Sequence, residues 1–150
     1  MASLLYSIVV LYKVRCMKRI LIIDDEKTIS SAISFGLKKI GHEIVVINNP
    51  VEVIAQLENQ KFDLLILDYK ITLLSGADVI KLIQNNKINI RTVILSSHNA
   101  SEISDPGILA FSKNNYISKD QPISIIISQI ENFIHYQNNN SLSGGSYAES

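Results

Sequence analysis

The chain has 150 residues, 47% of them apolar, which is enough for one domain with a sizeable core. Its 14 basic and 14 acidic side chains cancel, leaving no general electrostatic pull towards nucleic acid or an anionic membrane. The single cysteine, Cys16, excludes an internal disulfide framework and a cysteine-cluster metal site, and fits a reducing cytosol.

The first apolar stretch, "SLLYSIVVLY" from Ser3 to Tyr12, is shorter than the roughly 20 residues a membrane-spanning helix needs. It also lacks the basic n-region and small-residue cleavage site of a signal peptide. A second methionine, Met17, opens "MKRILIIDDE". Residues 1–17 are therefore expected to be an extension outside the core, left by an upstream start. The alternative is an extra strand or helix covering an apolar patch.

Ile20 to Ile23 is a short apolar run that ends in Asp24 and Asp25, the pattern of a strand buried on both faces. Ile29, Ala32, Ile33, Leu37 and Ile40 then recur at helical spacing, and Gly41 is a stop signal. "HEIVVIN" is β-branched and predicts a second strand. Val53, Ile54 and Leu57 mark a short helix entered through Pro50. "FDLLILDY" repeats the first pattern, an apolar run closing on an acid, Asp68. Val79, Ile80 and Ile83 predict a helix after Gly76, and "TVILSS" a fourth buried strand ending in hydroxyls. In "ASEISDPGILAFSKNN" the triplet Asp105-Pro106-Gly107 is expected to break or end a fourth helix. "NYISK" is a brief fifth strand. Ile123, Ile126, Ile127, Ile130, Phe133 and Ile134 form one face of a closing helix, with Asp120 near its start as a cap. Residues 18–136 are thus the expected domain. Residues 137–150, polar and rich in Asn, Gly and Ser, are an expected disordered tail.

Apolar strands alternating five times with helices predict an α/β fold, a parallel sheet with helices on both faces. Ligands in such folds bind beyond the carboxyl ends of the strands. Asp24, Asp25, Asp68 and Ser96 all stand at such ends, and Lys119 follows the fifth strand. Parallel strands bring these ends to one edge of the sheet. Three clustered carboxylates repel one another, and Mg²⁺, a hard cation that prefers oxygen, relieves that repulsion. A carboxylate is also a nucleophile towards phosphorus, and phosphoryl transfer needs mainly positioning and charge neutralisation. Lys119 and Ser96 are placed to supply a cation and a hydroxyl donor. Taken singly, Asp24-Asp25 is a solvated turn, Asp68 a turn or cap residue, Lys119 a surface lysine and Tyr116 core packing. His42 and His135 read as surface residues without partners.

The run "ILIIDDE", then "DLLILDYKITLLSG", "VILSS" and "YISK", in that order and spacing, resembles the receiver domain of two-component response regulators. The resemblance implies a doubly wound, flavodoxin-like sheet in the order 2-1-3-4-5 and a stand-alone phosphorylation-dependent switch in the cytoplasm, not a conventional enzyme. It makes Asp68 the phosphoacceptor, and Asp24, Asp25, Asp68 and the Lys70 backbone carbonyl the Mg²⁺ ligands. Ser96 and Lys119 would bind the phosphoryl group, and Tyr116 is the aromatic position that changes rotamer. Lys70 and His98 are candidates for tuning phosphate lifetime, although His98 also reads as a plain loop histidine. The implied partners are a sensor histidine kinase or histidine phosphotransfer protein and a downstream protein target, without direct nucleic-acid or membrane binding. The family often has proline four residues after the phosphoacceptor, where Thr72 stands here. It often has proline directly after the lysine, through a cis peptide. Here Asp120 follows Lys119, and the proline comes at Pro122. Three other readings are a pseudo-receiver that docks without phosphate, a receiver piece of a DNA-binding regulator lacking its output domain, and a metal-dependent hydrolase. The last lacks a base placed to activate water.

Overall fold

The computed structural model describes residues 3–7, 17–97, 103, 105–112 and 114–140. Five strands form one parallel sheet: β1 (Arg19–Ile23), β2 (Glu43–Ile47), β3 (Leu64–Asp68), β4 (Thr92–Ser96) and β5 (Tyr116–Ser118). Their order is β2-β1-β3-β4-β5, the order that the receiver resemblance implies. Among the described residues from 17 onward, the helices are α1 (Lys27–Ile40), α2 (Val53–Asn59), α3 (Gly76–Asn85), α4 (Pro106–Ser112) and α5 (Ile123–Asn140), with a 3₁₀ turn at Pro50–Glu52.

Alternation along each strand splits the core into two layers. Leu21, Ile23, Leu65, Leu67 and Ile94 pack with Val53 of α2 and with Val79, Ile80 and Ile83 of α3. Ile20, Ile22, Leu64, Ile66, Val93 and Leu95 pack on the other face with α1 and α5, through Ile33, Leu37, Ile126 and Ile130. The three central strands are hydrophobic on both faces because helices cover both. Gly36 marks the crossing of α1 and α5, since a β-carbon there would run into Ile127.

Helix ends follow local chemistry. Gly41 closes α1 at φ +115°, a conformation that favours glycine, with its N–H donating to the Lys38 carbonyl. Asn49 caps the turn entered through Pro50 by accepting the Val51 N–H at 3.1 Å. Ser75 and Asp78 form a reciprocal capping box at the start of α3.

Three sequence-based expectations are corrected. Asp105-Pro106-Gly107 starts α4 instead of breaking it. Asp105 Oδ1 accepts the N–H groups of Gly107 at 2.9 Å and Ile108 at 3.2 Å, and Pro106 takes the first helical position, where a missing N–H costs nothing. Asp120 does not cap the closing helix. The Ile125 and Ile126 N–H groups donate instead to the Pro122 carbonyl, which places the cap at Pro122. His42 is buried, with Nδ1 accepting the Lys18 N–H at 3.0 Å and Nε2 lying 2.5 Å from Glu131 Oε1. His135 also meets Glu131, at 3.3 Å, one helical turn away.

The described backbone contains no cis peptide. Residues 3–7 form a short helical segment with Leu4, Leu5 and Tyr6 exposed. Helix α5 runs to Asn140, past the expected domain end at residue 136, and residues 141–150 lie outside the described set.

Candidate functional site

Strand register assembles the site. Ile23 pairs with Leu67, so the next residues, Asp24 and Asp68, emerge side by side. Asp68 pairs with Leu95, one residue before Ser96, and Ser96 pairs with Ser118, one residue before Lys119. One row across the sheet edge therefore carries two acids, a hydroxyl and a lysine from four strand ends.

Asp24 and Asp68 are 1% and 5% exposed, and Lys119 is 7% exposed. Burying charges this deeply requires partners. The Lys119 ammonium lies 3.0 Å from Asp24 Oδ2 and 3.1 Å from Asp68 Oδ2, and Glu26 Oε2 is 3.4 Å away. The single-residue reading of Lys119 as a surface side chain is thus overturned. Asp24 Oδ1 accepts the Glu26 N–H at 2.7 Å, and Asp68 Oδ1 accepts the Lys70 N–H at 3.2 Å. Asp24 Oδ2 sits in ion-pair range of Lys119 but off a good hydrogen-bonding direction, so a buried carboxylate oxygen remains under-satisfied.

Burial pushes the Asp68 carboxyl up to about 6, with the Asp24 charge adding to the rise and Lys119 opposing it. Burial also pulls on the Lys119 ammonium, but the Asp24 and Asp68 carboxylates outweigh it and hold the group above its ordinary value. The lysine therefore stays a cation while Asp68 is a reluctant anion.

Asp25 is exposed, yet its Oδ2 accepts both the N–H of Thr72, at 3.0 Å, and the Thr72 hydroxyl. One oxygen from each of Asp24, Asp25 and Asp68 lies within 4.8 Å of the others. An octahedral Mg²⁺ with bonds of about 2.1 Å spans about 4.2 Å between opposite ligands. The all-oxygen donor set and its spacing fit such an ion with small side-chain adjustments. Asp25, Tyr69, Lys70, Ile71, Thr72 and Ser75 line an open hollow of about 460 Å³ beside the acids.

The remaining sequence-derived positions fall as follows. Ser96 is buried at the end of β4. The Tyr116 hydroxyl donates towards the Ser96 carbonyl at 3.4 Å. Lys70 is exposed on the loop after β3. His98 lies outside the described residues. Two contributors escaped sequence reasoning. Glu26 follows the acid pair directly, which was a usable signal. Thr72 stood out only as a missing proline, and nothing in the sequence aims its donors at Asp25.

Residues 20–131 match the response regulator receiver domain family. Among curated relatives, the CAI-1 autoinducer sensor kinase/phosphatase CqsS of Vibrio cholerae is 24% identical over 128 residues, covering 83% of this chain and 18% of the relative. The alkaline phosphatase synthesis transcriptional regulatory protein PhoP of Bacillus subtilis is 28% identical over 80 residues, covering 53% of this chain and 33% of PhoP. The match thus takes in a third or less of the length of either of these two relatives. Among solved structures, the response regulator TrrA of Thermotoga maritima, in complex with Mg²⁺-BeF, superimposes with a TM-score of 0.64 at 24% identity, covering 77% of this chain and 97% of TrrA. No helix among the described residues is long and apolar enough to cross a membrane. Because the family match begins in β1, ends within α5 and takes in every strand end that builds the acid–lysine row, the chain belongs to the response regulator receiver domains of two-component systems.

Proposed function

We propose that this receiver is a cytoplasmic phosphorylation-dependent switch in which Asp68 accepts a phosphoryl group from a phosphohistidine. The donor would be a sensor histidine kinase or a histidine phosphotransfer protein. The observation that carries this reading is the buried Lys119 ammonium held within 3.1 Å of both Asp24 and Asp68. A receiver domain is a signalling module, not a conventional enzyme.

The chemistry uses few groups. An Asp68 carboxylate oxygen attacks phosphorus, and the phosphorus–nitrogen bond to the imidazole breaks. The electron pair leaves with that nitrogen, which takes up a proton. Asp68 is ionised at neutral pH despite its raised value, and its burial leaves it poorly hydrated, which favours attack. Lys119 stays protonated and neutralises a phosphoryl oxygen. The Ser96 hydroxyl donates to another. Asp24, Asp25, Asp68 and the Lys70 carbonyl would hold Mg²⁺, which when bound neutralises phosphoryl charge. The new charge and acceptor oxygens would draw Ser96 and Lys119 inward and shift the Tyr116 rotamer, favouring an arrangement that alters partner binding or passes the phosphate on. Lys70 and His98 would tune how long the phosphate lasts.

Intact mass after incubation with Mg²⁺ and a small acyl-phosphate donor tests the assignment. One added phosphoryl group is expected, absent from Asp68→Asn and from a chelated sample. No addition with acyl phosphate or with a phosphorylated histidine donor would favour a docking module that never carries phosphate. The similarity to PhoP, a transcriptional regulatory protein, supports a second reading, in which this is the receiver piece of a DNA-binding regulator without its output domain.

A further inference from the structure

Thr72 makes two bonds to one oxygen of Asp25, through its N–H and through its hydroxyl. Both atoms are exposed to competing water, so the pair would be worth little if the loop were loose. The loop is anchored. Ile71 is buried at 8% exposure in the core layer beneath α2 and α3. The Gly76 N–H donates to the Tyr69 carbonyl at 2.9 Å, and the Ser75–Asp78 capping box pins the far end. Thr72 is thus carried on a short segment held on both sides.

Asp25 has no such anchor of its own. It is the exposed member of the acid cluster, whereas Asp24 and Asp68 are fixed by burial, Lys119 and backbone N–H groups. An unrestrained exposed carboxylate loses rotamer freedom when it takes up a ligand. With Oδ2 tied to Thr72, that loss is already met before a cation arrives. Oδ1 accepts no bond from the described residues and keeps its lone pairs for a ligand. A partner that fixes a ligating carboxylate from outside the coordination sphere commonly supports metal affinity by an order of magnitude or more.

We propose that Thr72 is a positioning residue for divalent-cation binding: it clamps Oδ2 of Asp25 and leaves Oδ1 directed to the ion. This rests on reading Asp24, Asp25 and Asp68 as a Mg²⁺ site. The opposite role is also physically coherent. A clamp that had to open before the ion entered would compete with it, and its removal would tighten binding.

The test is a MgCl₂ titration of the full chain followed through the amide NMR signals of Glu26 and Lys70, whose N–H groups donate to the site's carboxylates. Thr72→Val removes the hydroxyl and keeps the N–H, Thr72→Ala repeats that loss with a smaller side chain, and Thr72→Ser restores the hydroxyl. Thr72→Val and Thr72→Ala are expected to raise the Mg²⁺ Kd about 10-fold, while Thr72→Ser stays within about 3-fold of the parent. Urea midpoints should be nearly unchanged in all three, because Thr72 is exposed. Parent-like or tighter Mg²⁺ binding by Thr72→Val and Thr72→Ala would overturn the positioning role and leave the metal site standing. Equal weakening in Thr72→Ser would overturn the part given to the hydroxyl. No saturable Mg²⁺ response in the parent chain would overturn the metal reading and this proposal with it.

Discussion

At the scale of single residues, Lys119 decides the character of the site. Its ammonium is the only cation within 4 Å of the two buried carboxylates among the described residues. Replacing it with methionine keeps the volume and removes the charge, leaving Asp24 and Asp68 buried against each other. Breaking one side of a buried ion pair typically costs about 3–5 kcal/mol. The carboxyl of Asp68, already pushed up to about 6, rises further without the lysine and escapes the penalty by binding a proton. In metal-free buffer, Lys119→Met is therefore expected to lose about 3 kcal/mol of stability at about pH 8 and distinctly less at about pH 5. Urea unfolding at the two pH values measures this. An equal loss at both would show that packing, not charge, is what the lysine supplies.

At the scale of elements, the junction of β3 with α3 sets where Asp68 stands. A β-carbon on Gly76 would lie 3.0 Å from the Tyr69 Cα and 3.2 Å from the Asp68 carbonyl oxygen. Both neighbours are backbone, so neither yields as a flexible side chain would. Gly76→Ala is expected to cost about 1–3 kcal/mol, the usual range for overpacking, despite alanine's better helix propensity. It should also move the amide NMR signals of Asp68 and Tyr69 more than those of α1. A neutral or stabilising result would mean that α3 slides away from β3 freely. Helix α4 shows the same dependence on local placement. Asp-Pro-Gly breaks a helix from inside and begins one from its end. In this chain the Asp105 carboxylate turns it into a start, and the Lys81 ammonium, 3.2 Å from Asp105, ties that start to α3.

At the scale of the whole molecule, one buried contact joins three distant segments. Lys18, just before β1, donates to His42 at the entry of β2, and His42 meets Glu131 in α5. A ring nitrogen that accepts carries no proton, so the His42 proton sits on Nε2, facing the carboxylate. The hydrogen bond from His42 holds the Glu131 carboxyl below its ordinary value of 4.5, against the opposing effect of burial. A carboxyl held low in the folded state adds stability above its unfolded value and loses it as pH falls through the native one. Glu131→Gln is expected to cost about 1–2 kcal/mol near neutral pH, with the gap to the parent closing as pH falls below the ordinary carboxyl value of 4.5. Urea midpoints across that range check the sign, and a gap that persists in acid would assign the loss to shape.

Strand–helix alternation, the two-faced hydrophobicity of the central strands, the Gly41 stop and the placement of Asp24, Asp25, Asp68, Ser96 and Lys119 at strand ends were all legible in the sequence. Each depends on short-range periodicity or on parallel topology, which brings strand ends to one edge whatever the loops do. Spacing alone did not reveal that Lys119 is buried, that Thr72 grips Asp25 across 47 positions, or that His42 reaches Glu131 across 89. Those are contacts between elements far apart in the chain, and side-chain reach settles them only once the sheet and its covering helices are in place.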